Sequence, residues 1–211
     1  MSGMSRTAYH HGNLREALVA EAVSAVRADG AEALSLRELA RRVGVSHNAA
    51  YRHFAHRDDL VAVVAERTMT ALGEAMEREL GGVDEADPVL RARLRLAGVG
   101  RAYVEYALAE RGLFQVAFGS RAGENADQVL KETPYVLLGQ ALDDLVAVGF
   151  LSTEARVGAE ELCWSTVHGF ASLVLAGHVQ VADLADHLDR LLGAVDRSLG
   201  ASTDRADQAA T

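Results

Sequence analysis

Apolar residues recur at helical spacing along nearly the whole chain, and β-branched alternation at period two is scarce. The first stripe is Leu14, Leu18, Ala22 and Ala25, with Asn13 as its cap, Glu16 three residues on and Gly30 at its close. It predicts a helix over 14–28. Ser35-Leu-Arg-Glu38 reads as a capping box, in which hydroxyl and carboxylate each satisfy a free backbone N–H. It opens a second helix to Val43 that buries Leu36, Leu39, Ala40 and Val43. Gly44-Val45 makes a tight turn, and Ser46 caps a third helix through His53. A helix, a short Gly-containing turn and a helix form the unit that projects its second helix into a DNA major groove.

The rest of the chain continues in the same period. A fourth helix spans 58–80 and stops at Gly81-Gly82; Pro88 opens a fifth to Glu110. Gly112 separates a short sixth helix through Phe118, and Arg121-Ala-Gly-Glu124 is a loop. A seventh helix spans 126–148 with a kink at Pro134, and Thr153 caps a long eighth to Ala176. Asp183 caps a ninth, whose Leu184, Leu188, Leu191, Leu192, Val195 and Leu199 stand at coiled-coil-like spacing. The polar residues after Gly200 read as a disordered tail. The expected fold is all-α with about nine helices: a three-helix domain over 1–60, a helical bundle over 61–200 and a tail over 201–211. Composition agrees, because only two prolines interrupt a chain rich in Ala, Leu, Arg and Glu.

Charge divides the chain. Its 211 residues carry 21 basic and 30 acidic groups, a net of −9, which by itself argues against a surface built throughout for nucleic acid. Residues 1–60, however, hold eight arginines, seven acids and five of the eight histidines, a net of +1. The remaining 151 residues hold 13 basic and 23 acidic groups, a net of −10. A near-neutral head, on which Arg42, Arg52 and Arg57 read as unpaired, therefore sits on an acidic body. A lone Cys163 excludes a disulfide framework and fits a reducing compartment, and residues 1–10 lack a signal-peptide pattern. The expectation is a cytoplasmic protein.

Leu162 to Ala182 contains no Asp, Glu, Lys or Arg and is long enough to span a bilayer. Six polar residues, from Ser165 to Gln180, interrupt it, and no basic cluster flanks it. The buried central helix of a bundle is the preferred reading, with no membrane partner.

The third helix has DNA-binding chemistry. His47, Asn48, Tyr51, Arg52 and His53 are polar or amphipathic, while Ala49, Ala50 and Phe54 can pack inward. Asn can read adenine and Arg guanine through paired hydrogen bonds, and Tyr or His can reach phosphates. A solvated bundle helix is the competing reading.

Leu36-Arg-Glu-Leu-Ala-Arg-Arg-Val-Gly-Val-Ser46, Tyr51-Arg-His-Phe54 and Arg57-Asp-Asp-Leu60 resemble the N-terminal domain of the tetracycline-repressor (TetR) family. Tyr9-His-His-Gly-Asn-Leu-Arg15, Ser46-His-Asn-Ala49 and Trp164-Ser-Thr-Val-His-Gly169 resemble the subgroup with a C-terminal Trp/His/Gly motif. The resemblance implies that Arg37, Ser46, His47, Asn48, Tyr51, Arg52, His53 and Arg57 meet DNA. Arg57 stands where the family usually has Lys, and Asn48-Ala49-Ala50 lacks the family's frequent Thr, which leaves Asn48 as the expected base reader.

The resemblance also implies a homodimer through the last two helices, which explains the charge-free stretch that begins at Leu162 in the eighth. Gly158, Ala159, Ser165, Gly169, Ser172 and Ala176 would allow close approach, with Leu184, Leu188, Leu191 and Val195 beside them. An intrachain core is the alternative for these residues. Met69, Met76, Tyr103, Tyr106, Phe114, Phe118, Tyr135, Trp164 and His168 could line a cavity for a largely apolar effector, or could be plain core.

No His-Glu-x-x-His, phosphate-binding Gly loop or Gly-x-Ser-x-Gly occurs, and His10-His11 suits a cap or phosphate contact better than a metal. No catalytic residue, metal or cofactor is expected. The function expected is transcriptional regulation, usually repression, by a homodimer on a palindromic double-stranded operator with release by a small molecule. A ligand-sensing helical dimer that does not act through DNA is the alternative.

Overall fold

The computed structural model describes residues 14–119, 133–180 and 182–209, and every regular element among these is helical. The α-helices are α1 Leu14–Asp29, α2 Leu36–Val43, α3 His47–Tyr51, α4 Arg57–Gly81, α5 Pro88–Ala109, α6 Arg111–Gly119, α7 Thr133–Ala147, α8 Thr153–Arg156, α9 Ala159–Leu175 and α10 Leu184–Ala209. A 3₁₀ turn occupies Ala31–Ala33. Asn13, the His10-His11 pair, the Arg121–Glu124 loop and the first part of the expected seventh helix lie outside the described residues.

Two compact units emerge: residues 14–68 together with α6, and Met69–Ala109 together with the described residues from Thr133 onward. In the first unit, Leu18, Val19 and Ala22 of α1 pack with Leu39 and Ala40 of α2, Ala50 of α3, Phe54, and Leu60 and Val64 of α4. Each fully buried Leu or Phe in this cluster contributes about 1.5–3 kcal/mol through removal of apolar surface from water. Leu113 and Val116 of α6 complete the same core.

The local signals decide the turns. Gly30 and Gly44 close α1 and α2 at φ 81° and 78°, the left-handed region that a side chain disfavours. The Gly44 turn is tied by Val45 N–H donating to the Ala40 carbonyl at 2.9 Å. Ser46 caps α3, its Oγ accepting the Ala49 N–H at 3.2 Å. Instead of running to His53, α3 ends at Tyr51; the His53 and Phe54 N–H groups both turn onto the Ala50 carbonyl, and Phe54 is buried. The expected capping box of α2 does not form. Ser35 is extended at the N-cap but its hydroxyl makes no cap bond, and the Glu38 carboxylate is engaged by Arg41 and Arg42 further along the helix.

The fifth and sixth helices are separate as expected, but the break falls at Glu110 and not at Gly112. Gly112 lies inside α6, where an added Cβ would fall 2.6 Å from the Val26 carbonyl oxygen, so it permits α6 to press on α1. Arg27 of α1 fixes the same junction by donating through Nε and Nη2 to the Glu110 carboxylate at 2.8–3.1 Å.

In the second unit α5 packs against α7, α9 and α10. Gly100 allows this convergence: a Cβ there would meet Leu192 at 2.7 Å and Val167 at 3.5 Å. Arg93 pins α10 to α5 by hydrogen bonds of 3.0 and 2.6 Å to Asp196, its guanidinium lying 4.8 Å from the centroid of the Phe150 ring. Pro134 sits in the first turn of α7, where its missing N–H costs nothing.

The expected long eighth helix is two. Ser152, not Thr153, caps α8; Val157 is extended and Gly158 turns at φ 82° before α9 begins. Asp183 caps α10 by accepting the Asp186 N–H, and that helix extends to Ala209. Among the described residues no helix is long and apolar enough to cross a membrane; the charge-free stretch closes with α9 at Leu175 and a turn at Gly177.

Candidate nucleic-acid interface

α3 is anchored by Ala50, which is fully buried, and by Phe54 just beyond it. That anchoring leaves His47, Asn48, Tyr51, Arg52 and His53 exposed. His47 and Tyr51 are one turn apart on the outer face of α3, with ring centroids 4.3 Å apart. Ser46 is exposed, but its hydroxyl is occupied by the cap.

α2 contributes Arg37. It shares an open groove of about 470 Å³ with Ser35, Glu38, Ala40, Arg41, Val45 and His47. Arg37 and Arg52 have no ion-pair partner among the described residues and project unneutralised charge.

Arg42, which the sequence presented as free, is not. It reaches Glu38 at 3.1 Å, Glu21 at 3.5 Å and Asp29 at 3.6 Å, binding α2 to α1. Arg41 is held by Glu38 as well, through Nε at 2.9 Å and Nη2 at 2.6 Å. These hydrogen bonds, Arg41's foremost and then Arg42's, pull the Glu38 carboxyl down to about 2. Arg57 donates its Nε to the Leu34 carbonyl at 2.9 Å, bracing the start of α4 against the chain before α2.

The residues expected at a subunit interface fall into two groups. Ala159 and Leu188 are buried within the subunit and belong to its own core. Gly158, Ser165 and Ala176 are exposed, while Gly169, Ser172, Leu184, Leu191 and Val195 are half-buried. Leu162 and Leu173, which periodicity did not single out, are 41% and 46% exposed. Their spacing with Ser165, Gly169 and Ala176 places them on one α9 face. The Ser165 and Thr166 hydroxyls both donate to the Leu162 carbonyl, so this face presents little free hydrogen-bonding capacity.

Aromatic residues of the second unit pair on α9. His168 Nδ1 lies 2.9 Å from the Tyr103 hydroxyl, and Trp164, one turn earlier, meets Tyr135 edge-on at 5.0 Å. Burial pushes the His168 imidazole below its ordinary value and the Tyr135 phenol above its own, the latter aided by Glu160 and Glu161. Tyr106 is half-buried, and Met69 and Met76 of α4 are buried. Phe114 and Phe118 belong to the first unit, where they pair on α6 at 4.5 Å. No group of three or more His, Cys, Asp or Glu suited to a metal occurs among the described residues.

Two sequence profiles match the chain. Residues 18–64 match "Bacterial regulatory proteins, tetR family", and residues 96–195 match "Tetracyclin repressor-like, C-terminal domain". The chain belongs to the TetR family. The first match covers the helix-turn-helix and the start of α4; the second contains Trp164, His168 and Gly169. As a TetR-family chain with an exposed recognition helix it is a DNA-binding transcriptional regulator.

Solved structures agree on the fold. A protein of unknown function from Rhodococcus sp. RHA1 is 31% identical, with a TM-score of 0.78 over 92% of this chain and 100% of its own. PfmR, a TetR-family transcriptional regulator of Thermus thermophilus, is 18% identical, with a TM-score of 0.53 over 89% of this chain and 94% of its own. A TetR variant from Acinetobacter baumannii AYE in complex with minocycline is 17% identical, with a TM-score of 0.54 over 92% and 93%. No curated protein sequence matches the chain.

Proposed function

We propose that this TetR-family chain is a repressor that binds a two-fold-symmetric operator as a homodimer and leaves it when a small, largely apolar molecule occupies the body. The carrying observation is the joint exposure of His47, Asn48, Tyr51, Arg52 and His53 on α3, beside the unpaired Arg37. Asn48 has the donor and acceptor to read an adenine edge, Arg52 and Arg37 can reach guanine or phosphate, and Tyr51 and His47 suit the backbone. A two-fold dimer suits the role because it offers two such helices to a palindrome. The α9 face formed by Leu162, Ser165, Gly169, Leu173 and Ala176, with α10, is the proposed contact surface.

The Tyr103–His168 and Tyr135–Trp164 pairs support an effector site in the second unit, aromatic in its walls with a hydrogen-bonding group at one end. That the Acinetobacter neighbour was captured with minocycline favours a small organic effector over a protein one. The effector acts by population shift: it must bind the released geometry of the dimer more tightly than the operator-bound one.

Genome-wide mapping of bound DNA tests the reading. The expected result is a small set of sites sharing an inverted repeat, bound in vitro by a dimer. A chain that is dimeric and folded yet enriches no DNA would instead establish a ligand sensor that works without DNA.

A further inference from the structure

We infer that Glu38 is a positioning residue that withholds Arg41 from DNA phosphates and thereby keeps sequence-independent binding weak. The inference rests on the DNA-binding reading above. α2 carries three arginines, at 37, 41 and 42. Arg37 and Arg41 are four apart, share a helix face and line the same groove with His47, so both are placed to meet a backbone. Arg37 is unpaired among the described residues, whereas Arg41 spends both Nε and Nη2 on the Glu38 carboxylate.

Stability does not account for this pair. The Arg41 side chain is 73% exposed, and an exposed pair three residues apart adds little to a fold. The position of the pair, on the face that carries Arg37, matters more. Neutralised phosphates raise affinity for every sequence alike, while base contacts discriminate. With the Glu38 carboxyl held at about 2, the carboxylate remains charged throughout the physiological range, so the restraint is constant. Arg42 is a separate case. Glu21 and Asp29 of α1 hold it independently, so loss of Glu38 frees one arginine and not two.

The experiment measures affinity for poly(dI–dC) against salt, with the tightest duplex the wild-type chain selects from a random library as reference. Glu38→Gln is expected to tighten poly(dI–dC) binding about tenfold near ~0.1 M salt and to steepen the log K against log salt slope by about one, the signature of one added phosphate contact. Arg41→Gln in the wild-type background should leave both quantities unchanged, and in the Glu38→Gln background should remove most of the gain.

Unchanged affinity and slope in a folded Glu38→Gln that still binds the selected duplex overturns the inference. So does an equal loss from Arg41→Gln in both backgrounds, which would mean that Glu38 acts only as a nearby negative charge. If Glu38→Gln fails to fold, Arg41→Gln alone decides: a several-fold loss with a shallower slope shows Arg41 already in use, contrary to the proposal. A wild-type chain that selects no duplex removes the DNA-binding reading itself, an outcome distinct from the others.

Discussion

Gly112 and Val26 stand in backbone contact: a Cβ at residue 112 would lie 2.6 Å from the Val26 carbonyl oxygen and 3.4 Å from its carbon. Backbone cannot yield as a flexible side chain can, and Arg27 grips Glu110 two residues before. Gly112→Ala should therefore destabilise the protein by about 1–3 kcal/mol, the cost of overpacking, in urea or thermal unfolding. Gly119→Ala at the open end of the same helix, where a Cβ meets nothing within 4 Å, should stay within about 0.5 kcal/mol of wild type.

Asn48→Ala and Tyr51→Ala should each abolish or weaken operator binding by about tenfold or more while leaving the melting temperature unchanged. Both side chains are exposed, so neither supports the core, and a lost paired base contact costs about 1–3 kcal/mol of binding. Titration against the duplex recovered by mapping, alongside a thermal melt, reads both. A large drop in melting temperature would show that these residues are structural.

A Cβ added at Gly169 would meet no heavy atom of its own subunit within 4 Å. Gly169→Leu should then leave the folded subunit intact by circular dichroism yet shift sedimentation toward monomer, because the proposed dimer contact needs close approach at α9. A full-strength dimer with leucine at 169 would move the interface elsewhere.

His168 sets a pH dependence. Burial holds its imidazole below the ordinary 6.5, so between that value and its folded value the unfolded chain binds more protons. Stability is full above about 6.5 and declines as pH falls through that window. Denaturant midpoints measured downward from neutral pH should show the decline, and His168→Gln should flatten it.

Cys163 offers a simple probe of that packing. Burial above all pushes its thiol up to about 12, leaving almost no thiolate at neutral pH. Iodoacetamide should leave it unmodified in the native protein and label it only after unfolding; rapid native labelling would mean that α9 opens readily.

The helical class, the helix-turn-helix and the outward-facing residues of α3 were all legible before folding. These depend on interactions within a few residues: the Leu14–Ala25 stripe, the Ser46 cap and the left-handed turns at Gly30 and Gly44 all act locally. Other features depend on partners far along the chain and emerge only when helices pack. Gly112 looked like a helix break because its reason, the Val26 carbonyl, lies on another helix. Arg42 looked free because Glu21 and Asp29 reach it only after α1 and α2 pack. Likewise Leu188 and Ala159 read as candidates for a partner surface until the folded subunit buried them, while Leu162 and Leu173 were left outside. Periodicity shows that a helix has an apolar side; only the fold shows which part of that side its own chain covers.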